Sequence, residues 1–435
     1  MDAVLRCFQN GYFDFYLAEF LRFDSAPLGG NLQLKSIADD KLVQLVKCTL
    51  DLKAEYASHC TSGNFSPRLF ELCNEQLKVL NRLSDGEAAW ITGPLWISAR
   101  QLLKISRYLD KQQSSFKGAH GKQRAKQRSK GDLEDEKFLE KCVRAIHTSF
   151  KLCLNDRNPN AQENKKWGVY FFTNLELAIY QQLHNADMIR NLVKVIESRT
   201  TELPTPEQAL WAHKAQLVTY HHYMARYYGC YEMDYERGFV FAQKAWLASR
   251  KTHPGPQENA ICGLLIPFAV LARRWYPDLA ALDLIRPAVA EFYRPVVECL
   301  RNGDLLKYET WLTANEPTLL QRNLYVAMVA MRELVVLKLV KRTVELTGAG
   351  PIVPLHLMAA ALVYSDTHRG PRNDNTSDVT SDDPTFLDRT ECSLANLIAK
   401  GYIKGYLSHS NRALVLSKTN AFPKLVLGDC ESVKY

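Results

Sequence analysis

The sequence predicts a mostly α-helical chain: an α-solenoid of helix pairs that closes in a C-terminal winged helix. Three observations carry this. Apolar residues recur at helical spacing from Val4 to Leu346, as in Val143, Ile146, Phe150 and Leu154, and again in Ile189, Leu192, Val193 and Ile196. Strand-like alternation is confined to the C-terminal end of the chain. There, Leu394, Leu397 and Ile398 share one helical face that stops at Gly401, and the chain then alternates through Tyr402, Ile403, Lys404, Gly405, Tyr406 and Leu407 before a second strand, Ala413 to Ser417.

The elements follow in chain order. Residues 1–110 read as an N-terminal helical region. Residues 111–136 read as a flexible basic loop, because Lys117, Lys122, Arg124, Lys126, Arg128 and Lys130 stand among Ser, Gln and Gly with no acid before Asp132. Such a run suits a solubilising insertion, a phosphate contact or a nuclear address. Residues 137–287 read as tetratricopeptide-like helix pairs, and the best-marked unit is Asp234 to Trp246. That unit follows an aromatic helix through Tyr220, Tyr223, Met224, Tyr227 and Tyr228, and it resembles the second helix of a tetratricopeptide repeat, where small residues let paired helices approach. Residues 288–346 continue as helices around a Gly303-Asp304 turn. Within them, Leu324 to Val344 is apolar on almost every side and is expected as a buried spine, with Lys341 and Arg342 neutralising its C-terminal end. Residues 347–425 complete the winged helix, interrupted between its second and third helices by an acidic loop, 366–383, with Asp374, Asp378, Asp382 and Asp383. Residues 426–435 are a tail.

Composition narrows the class. With 46% hydrophobic residues in 435, the chain can bury a large core, and its 55 basic against 47 acidic residues leave a formal charge of +8, a mild pull toward acidic partners. Its 11 cysteines are an odd number without C-x-x-C pairs, which reads as reduced thiols in a nuclear or cytosolic protein. Neither a signal peptide nor a membrane span is expected, since the most apolar run, near Ala260 to Ala272, is short and holds Pro267.

Catalytic constellations fail on spacing. Gly118 to Gln123 lacks the spacing and the hydroxyl of a phosphate loop, and Gly348-Ala349-Gly350 runs into Pro351 rather than into a dinucleotide turn. No H-E-x-x-H or H-x-H pair stands ready for zinc. His221 and His222 point about 100° apart on a helix and are expected in an aromatic setting. His147 lies on a different helical face from Cys142 and Cys153. A non-enzymatic protein without cofactor or metal is expected.

The block Leu394 to His409, with Leu414 to Lys418 and Phe422-Pro423, resembles the winged helix of PCI-domain proteins of the mRNA-export (TREX-2-like) type. Leu300 to Leu305 with Tyr308-Glu309 looks like the turn leading into the last helix pair of the PCI helical half. Cys153 to Pro159 with Glu163 to Lys166, Asp187 to Lys194, and Tyr227 to Cys230 narrow the resemblance to the fungal branch associated with the COP9 signalosome. The resemblance implies a Sac3-like PCI partner, a Sem1-like small acidic protein clasping the helices, and RNA or DNA bound by paired winged helices in transcription-coupled mRNA processing and export. A protein-only adaptor among COP9 signalosome or proteasome-lid subunits is the alternative it leaves open.

On that frame the candidate nucleic-acid residues are Arg389, Asn396 and Lys400 along the exposed face of the third helix, Lys404 on the following strand, and His409, Arg412 and Lys418 in the wing. Tyr402 and Tyr406 are placed with Lys404 on one strand face, where aromatics serve either stacking or a protein interface. Arg157, Lys165 and Lys166 form a basic loop assigned by fold analogy to the acidic clasp.

Overall fold

The computed structural model describes residues 2–25, 39–59, 65–120, 137–160, 162–249, 255–348, 350–367 and 384–423. It divides into two compact units, Met1–Tyr223 and Met224–Tyr435. Helices dominate both.

The first unit begins with α1 (Asp2–Asn10), α2 (Phe15–Leu21), α3 (Asp40–His59), α4 (Pro67–Leu83) and α5 (Thr92–His120). It continues with α6 (Phe138–Leu154), α7 (Val169–Gln182), α8 (Ala186–Glu197), α9 (Pro206–Ala209) and α10 (Lys214–Arg226), inside which the division falls. From α3 to α8 each helix packs on its successor, the arrangement of an α-solenoid. Local signals start the helices. The Ser66 hydroxyl accepts the Leu69 N–H ahead of Pro67, Asn185 caps α8 through the Met188 N–H, and Thr205 and Gln208 cap reciprocally at α9. The stripe Ile189, Leu192, Val193 and Ile196 is buried as its spacing predicts. A buried amide, Gln76, ties neighbours together: its Nε2 donates to the Leu21 carbonyl and to Thr49 Oγ1, both at 3.1 Å, and its Oε1 accepts from Ser98 Oγ at 3.0 Å.

One boundary moves. α5 runs to His120, so residues 111–120 are helical rather than the start of the basic loop; Ala, Lys and Gln favour helix and no proline intervenes. The rest of that loop, residues 368–383 of the acidic loop and the tail lie outside the described residues.

The second unit continues from a π-turn, Tyr227–Tyr231, into α11 (Tyr235–Ser249), α12 (Pro256–Arg273), α13 (Leu279–Ile285), α14 (Pro287–Asn302), α15 (Leu305–Gln321) and α16 (Tyr325–Thr347). It ends with β1 (Ile352–Pro354), α17 (Leu355–Thr367), α18 (Pro384–Ala399), β2 (Gly405–Ser408) and β3 (Ala413–Leu416). The small residues of the Asp234–Trp246 segment do allow close approach: a Cβ on Gly238 would lie 2.9 Å from the Gly229 backbone, and α11 packs against α12. Gly303 ends α14 at φ +73°, and the Asp304 carboxylate caps α15 by accepting the Lys307 N–H.

α16 is less enclosed than its composition suggests. Leu334, Val335 and Val340 are buried, but Val326 and Val329 are exposed, so the helix covers the core with one side only. Nor do Lys341 and Arg342 cap it. The helix reaches Thr347 and stops at Gly348, φ +58°, while Arg342 donates to the Asn302 carbonyl.

The three strands form one antiparallel sheet in the order β1-β3-β2. β1 escapes the sequence pattern because its three residues, preceded by Pro351 and ending in Pro354, show no alternation; prolines are tolerated there because the strand is an edge. Val353, Leu414 and Leu407 face inward in register, joining Leu394, Leu397 and Ile403 to the same core as Phe268, Tyr293, Tyr308 and Met328. The terminal sheet is therefore fixed to the helices before it. Ser365 of α17 adds a polar tie, accepting the Leu305 N–H at 2.9 Å and donating to the Gly303 carbonyl at 3.3 Å.

Candidate partner-binding surface

α18 stops at Gly401, φ +72°, and its Leu394 and Leu397 anchor the helix, which leaves Arg389, Asn396 and Lys400 exposed as their spacing predicts. Exposure does not leave all the charges available. Lys400 Nζ lies 2.6 Å from the Glu333 carboxylate of α16, Arg412 Nη1 lies 2.6 Å from Asp388 and 3.0 Å from Glu391, and His409 Nδ1 lies 2.9 Å from Glu391. The Asp388 hydrogen bond pushes the Arg412 pKa further above its ordinary value. α18 itself carries two carboxylates, Asp388 and Glu391, against one cation, Arg389. Of the seven predicted cationic and polar positions, Lys400, His409 and Arg412 are thus engaged by carboxylates within the fold. Arg389, Asn396, Lys404 and Lys418 remain exposed, and their side chains meet no carboxylate among the described residues.

The three residues expected on one strand face separate. The strand begins at Gly405, where a Cβ would lie 2.2 Å from the Val415 carbonyl oxygen, so Gly alone permits the approach. Lys404 still continues the ladder through its N–H to the Ala421 carbonyl and its carbonyl to the Ser417 N–H, both 2.8 Å, so it stays on the Tyr406 side. Tyr402 does not. It lies in the turn, half-buried, under the Arg274 guanidinium at 4.3 Å, and packs against the core.

Tyr406 instead stands in a row that no sequence pattern marks. It pairs with Val415, which pairs with Ile352, so the three side chains lie side by side on the outer face of the sheet. Tyr406 is 63% and Ile352 60% exposed. No pattern within one strand could have identified Ile352, whose neighbour is set only by register.

The basic loop in the first unit is also rearranged. Arg157 is exposed, and Lys166 Nζ lies 3.5 Å from Glu202. Lys165 is buried, with its N–H on Asp156 at 2.7 Å and its ammonium on the Ser84 carbonyl at 2.8 Å; it braces the loop and presents no charge outward. Asp156 and Asn164 fold this segment by side-chain bonds to backbone N–H groups, which accounts for the Asp- and Asn-rich motif.

The features read as non-catalytic have structural partners. His221 is buried beside Tyr220, and His147 Nδ1 meets the buried Glu176 carboxylate at 3.1 Å. Burial pushes the Cys142 and Cys153 thiols up to about 12. The nine described cysteines are free thiols, no described group of three or more His, Cys, Asp or Glu could hold a metal ion, and no described helix is long and apolar enough to cross a membrane.

No family model matches the chain. Whole-chain relatives do. Over 429 residues, 98% of each chain, it is 40% identical to COP9 signalosome complex subunit 12 of Eremothecium gossypii. Over 453 residues, 97% of this chain and 99% of the relative, it is 34% identical to Cop9 signalosome complex subunit 12 of Saccharomyces cerevisiae. A more distant relative, a CSN12 homolog of Neurospora crassa, is 26% identical over 371 residues, 82% of this chain and 77% of its own.

Proposed function

The chain belongs to the family of the fungal COP9 signalosome complex subunit 12, and from that premise we propose that it is a non-catalytic scaffold whose main work is to join proteins. The partners are other COP9 signalosome subunits, as the relatives' names suggest. In this reading residues 288–346 are the helical half and 347–425 the winged helix of a PCI domain, a description supported by α17 and α18 followed by two antiparallel strands and closed by β1. The outward row Ile352, Val415 and Tyr406 carries the proposal. An aromatic and two branched aliphatics on an exposed sheet face gain when a protein partner removes them from water, and the two aliphatics offer a base no ring to stack on.

A second reading keeps nucleic acid on the same face. Arg389, Asn396, Lys404 and Lys418 favour it by their exposure, and it places the chain beside a Sac3-like PCI partner and a Sem1-like acidic protein in nuclear, TREX-2-like mRNA processing. Against it stand the carboxylates on Lys400, His409 and Arg412.

One experiment separates the two. The full chain is titrated against purified COP9 signalosome subunits of its own organism and, separately, against labelled RNA. Ile352→Glu with Tyr406→Glu is expected to weaken subunit binding at least tenfold, about 1.4 kcal/mol or more, with RNA binding unchanged. Unaltered subunit binding refutes the adaptor surface. Loss of RNA but not of subunits on Lys404→Glu with Lys418→Glu moves the assignment to the second reading.

A further inference from the structure

We propose that the solvent face of α5, in the first unit, binds single-stranded nucleic acid. Trp96, Arg100, Lys104, Arg107 and Lys111 follow one another at spacings of four, four, three and four. At 100° per residue they fall within an arc of about 80°, and the four cations span about 16 Å of helix. All four are exposed. Arg100 lies over the Trp96 indole at 5.3 Å, and Arg107 Nε donates to the neutral Gln182 amide at 3.0 Å, so neither charge is cancelled by a carboxylate among the described residues. Lys104 is more engaged, 3.5 Å from Asp24, a carboxylate that also takes Arg22. α6, packed on α5, repeats the rhythm with exposed Lys137, Lys141, Arg144 and Lys151. In sequence, α5 leads directly into the run Lys122, Arg124, Lys126, Arg128 and Lys130.

Charge of this density selects a polyanion, and the rings at the start of the stripe select which. Trp96 meets Phe171 at 5.7 Å and Phe171 meets His213 at 5.1 Å, both edge to face, making a partly exposed aromatic step beside Arg100. Bases stack on such a step while phosphates follow the cations. An acidic peptide would use the cations and leave the rings idle. This surface is independent of the Ile352, Val415 and Tyr406 row.

The test is fluorescence anisotropy of the full chain with a labelled oligouridylate of about fifteen nucleotides, long enough to cover the stripe with either end free, over a salt series. Arg100→Gln with Arg107→Gln is expected to weaken binding about tenfold near 0.1 M salt. The slope of log K against log salt should become shallower by about 1.4, roughly 0.7 for each phosphate no longer neutralised. Trp96→Leu should weaken binding by a similar factor with the slope unchanged, and Arg100→Lys with Arg107→Lys should restore the slope. Unchanged affinity in the Gln pair overturns the proposal. So does a polyglutamate peptide of equal length that binds the wild type as tightly and weakens as much in the Gln pair. Circular dichroism identifies any variant that fails to fold. Should the Gln pair do so, Trp96→Leu is measured in the Lys-pair background, where a tenfold weakening supports the stripe and unchanged affinity overturns it.

Discussion

Gly229→Ala and Gly263→Ala are one chemical change with opposite expected outcomes. A Cβ on Gly229 would lie 2.2 Å from Phe268 Cζ and 2.5 and 2.6 Å from its neighbours, and the ring is fully buried. Relieving the overlap requires the ring or the π-turn to move by about 1 Å, and overpacking of that kind costs about 1–3 kcal/mol. Because the overlap is large and Phe268 has no free direction, the upper part of that range applies; an intrinsic helical gain of about 1 kcal/mol offsets it, leaving about 2 kcal/mol of net loss. At Gly263 of α12 no heavy atom lies within 4 Å of the added methyl, so the helical gain of about 1 kcal/mol stands alone. The two variants should therefore differ by about 3 kcal/mol. With a urea m-value of about 2 kcal/mol/M, their midpoints separate by more than about 1 M in the transition that reports the second unit. Phe268→Leu, which makes room, should add little or nothing to the loss in the Gly229→Ala background. Equal stabilities for the two alanine variants, or full additivity with Phe268→Leu, would refute the close-approach argument.

Two further outcomes can be checked by unfolding. Burial raises the Glu176 carboxyl pKa, opposed by the hydrogen bond from His147, so the folded chain holds a proton there more readily than the unfolded chain. The group's stabilising contribution is present below the unfolded carboxylate pKa and is lost as pH rises through the higher folded value. Glu176→Gln should thus raise the melting temperature at neutral pH, with the difference shrinking toward about pH 4; a variant less stable at neutral pH than in acid, relative to wild type, contradicts this. Ser365→Ala strands the buried Leu305 N–H and Gly303 carbonyl and should cost about 1–3 kcal/mol, with faster hydrogen exchange at the Leu305 amide; an unchanged exchange rate would show that Ser365 is not what holds α17 to the start of α15.

The fold was largely legible because its signals are local. The periodic stripe Ile189 to Ile196, the Gly303-Asp304 turn and the Gly401 stop after Leu394 and Leu397 each depend on residues a few positions apart. β1 was not legible, since three residues bracketed by prolines acquire strand character only by pairing with β3. The site was legible as a set of exposed residues and illegible as an electrostatic surface. Lys400 meets Glu333 across 67 positions of chain, and Lys165 reaches the Ser84 carbonyl across 81, distances at which no spacing rule operates. Tyr402 and Tyr406 look alike in sequence, yet one is covered by Arg274 and the other is open to solvent.

By itself the sequence determined where helices start and stop, which face of each is apolar, and that the described strands lie toward the C-terminal end, because capping, periodicity and glycine conformations are properties of neighbouring residues. The tertiary structure alone decided which cations stay open to a partner and which are paired with Glu333, Asp388 and Glu391, and it alone aligned Ile352, Val415 and Tyr406. Ion pairing and cross-strand register are set by distances through space, and those exist only once the chain has packed.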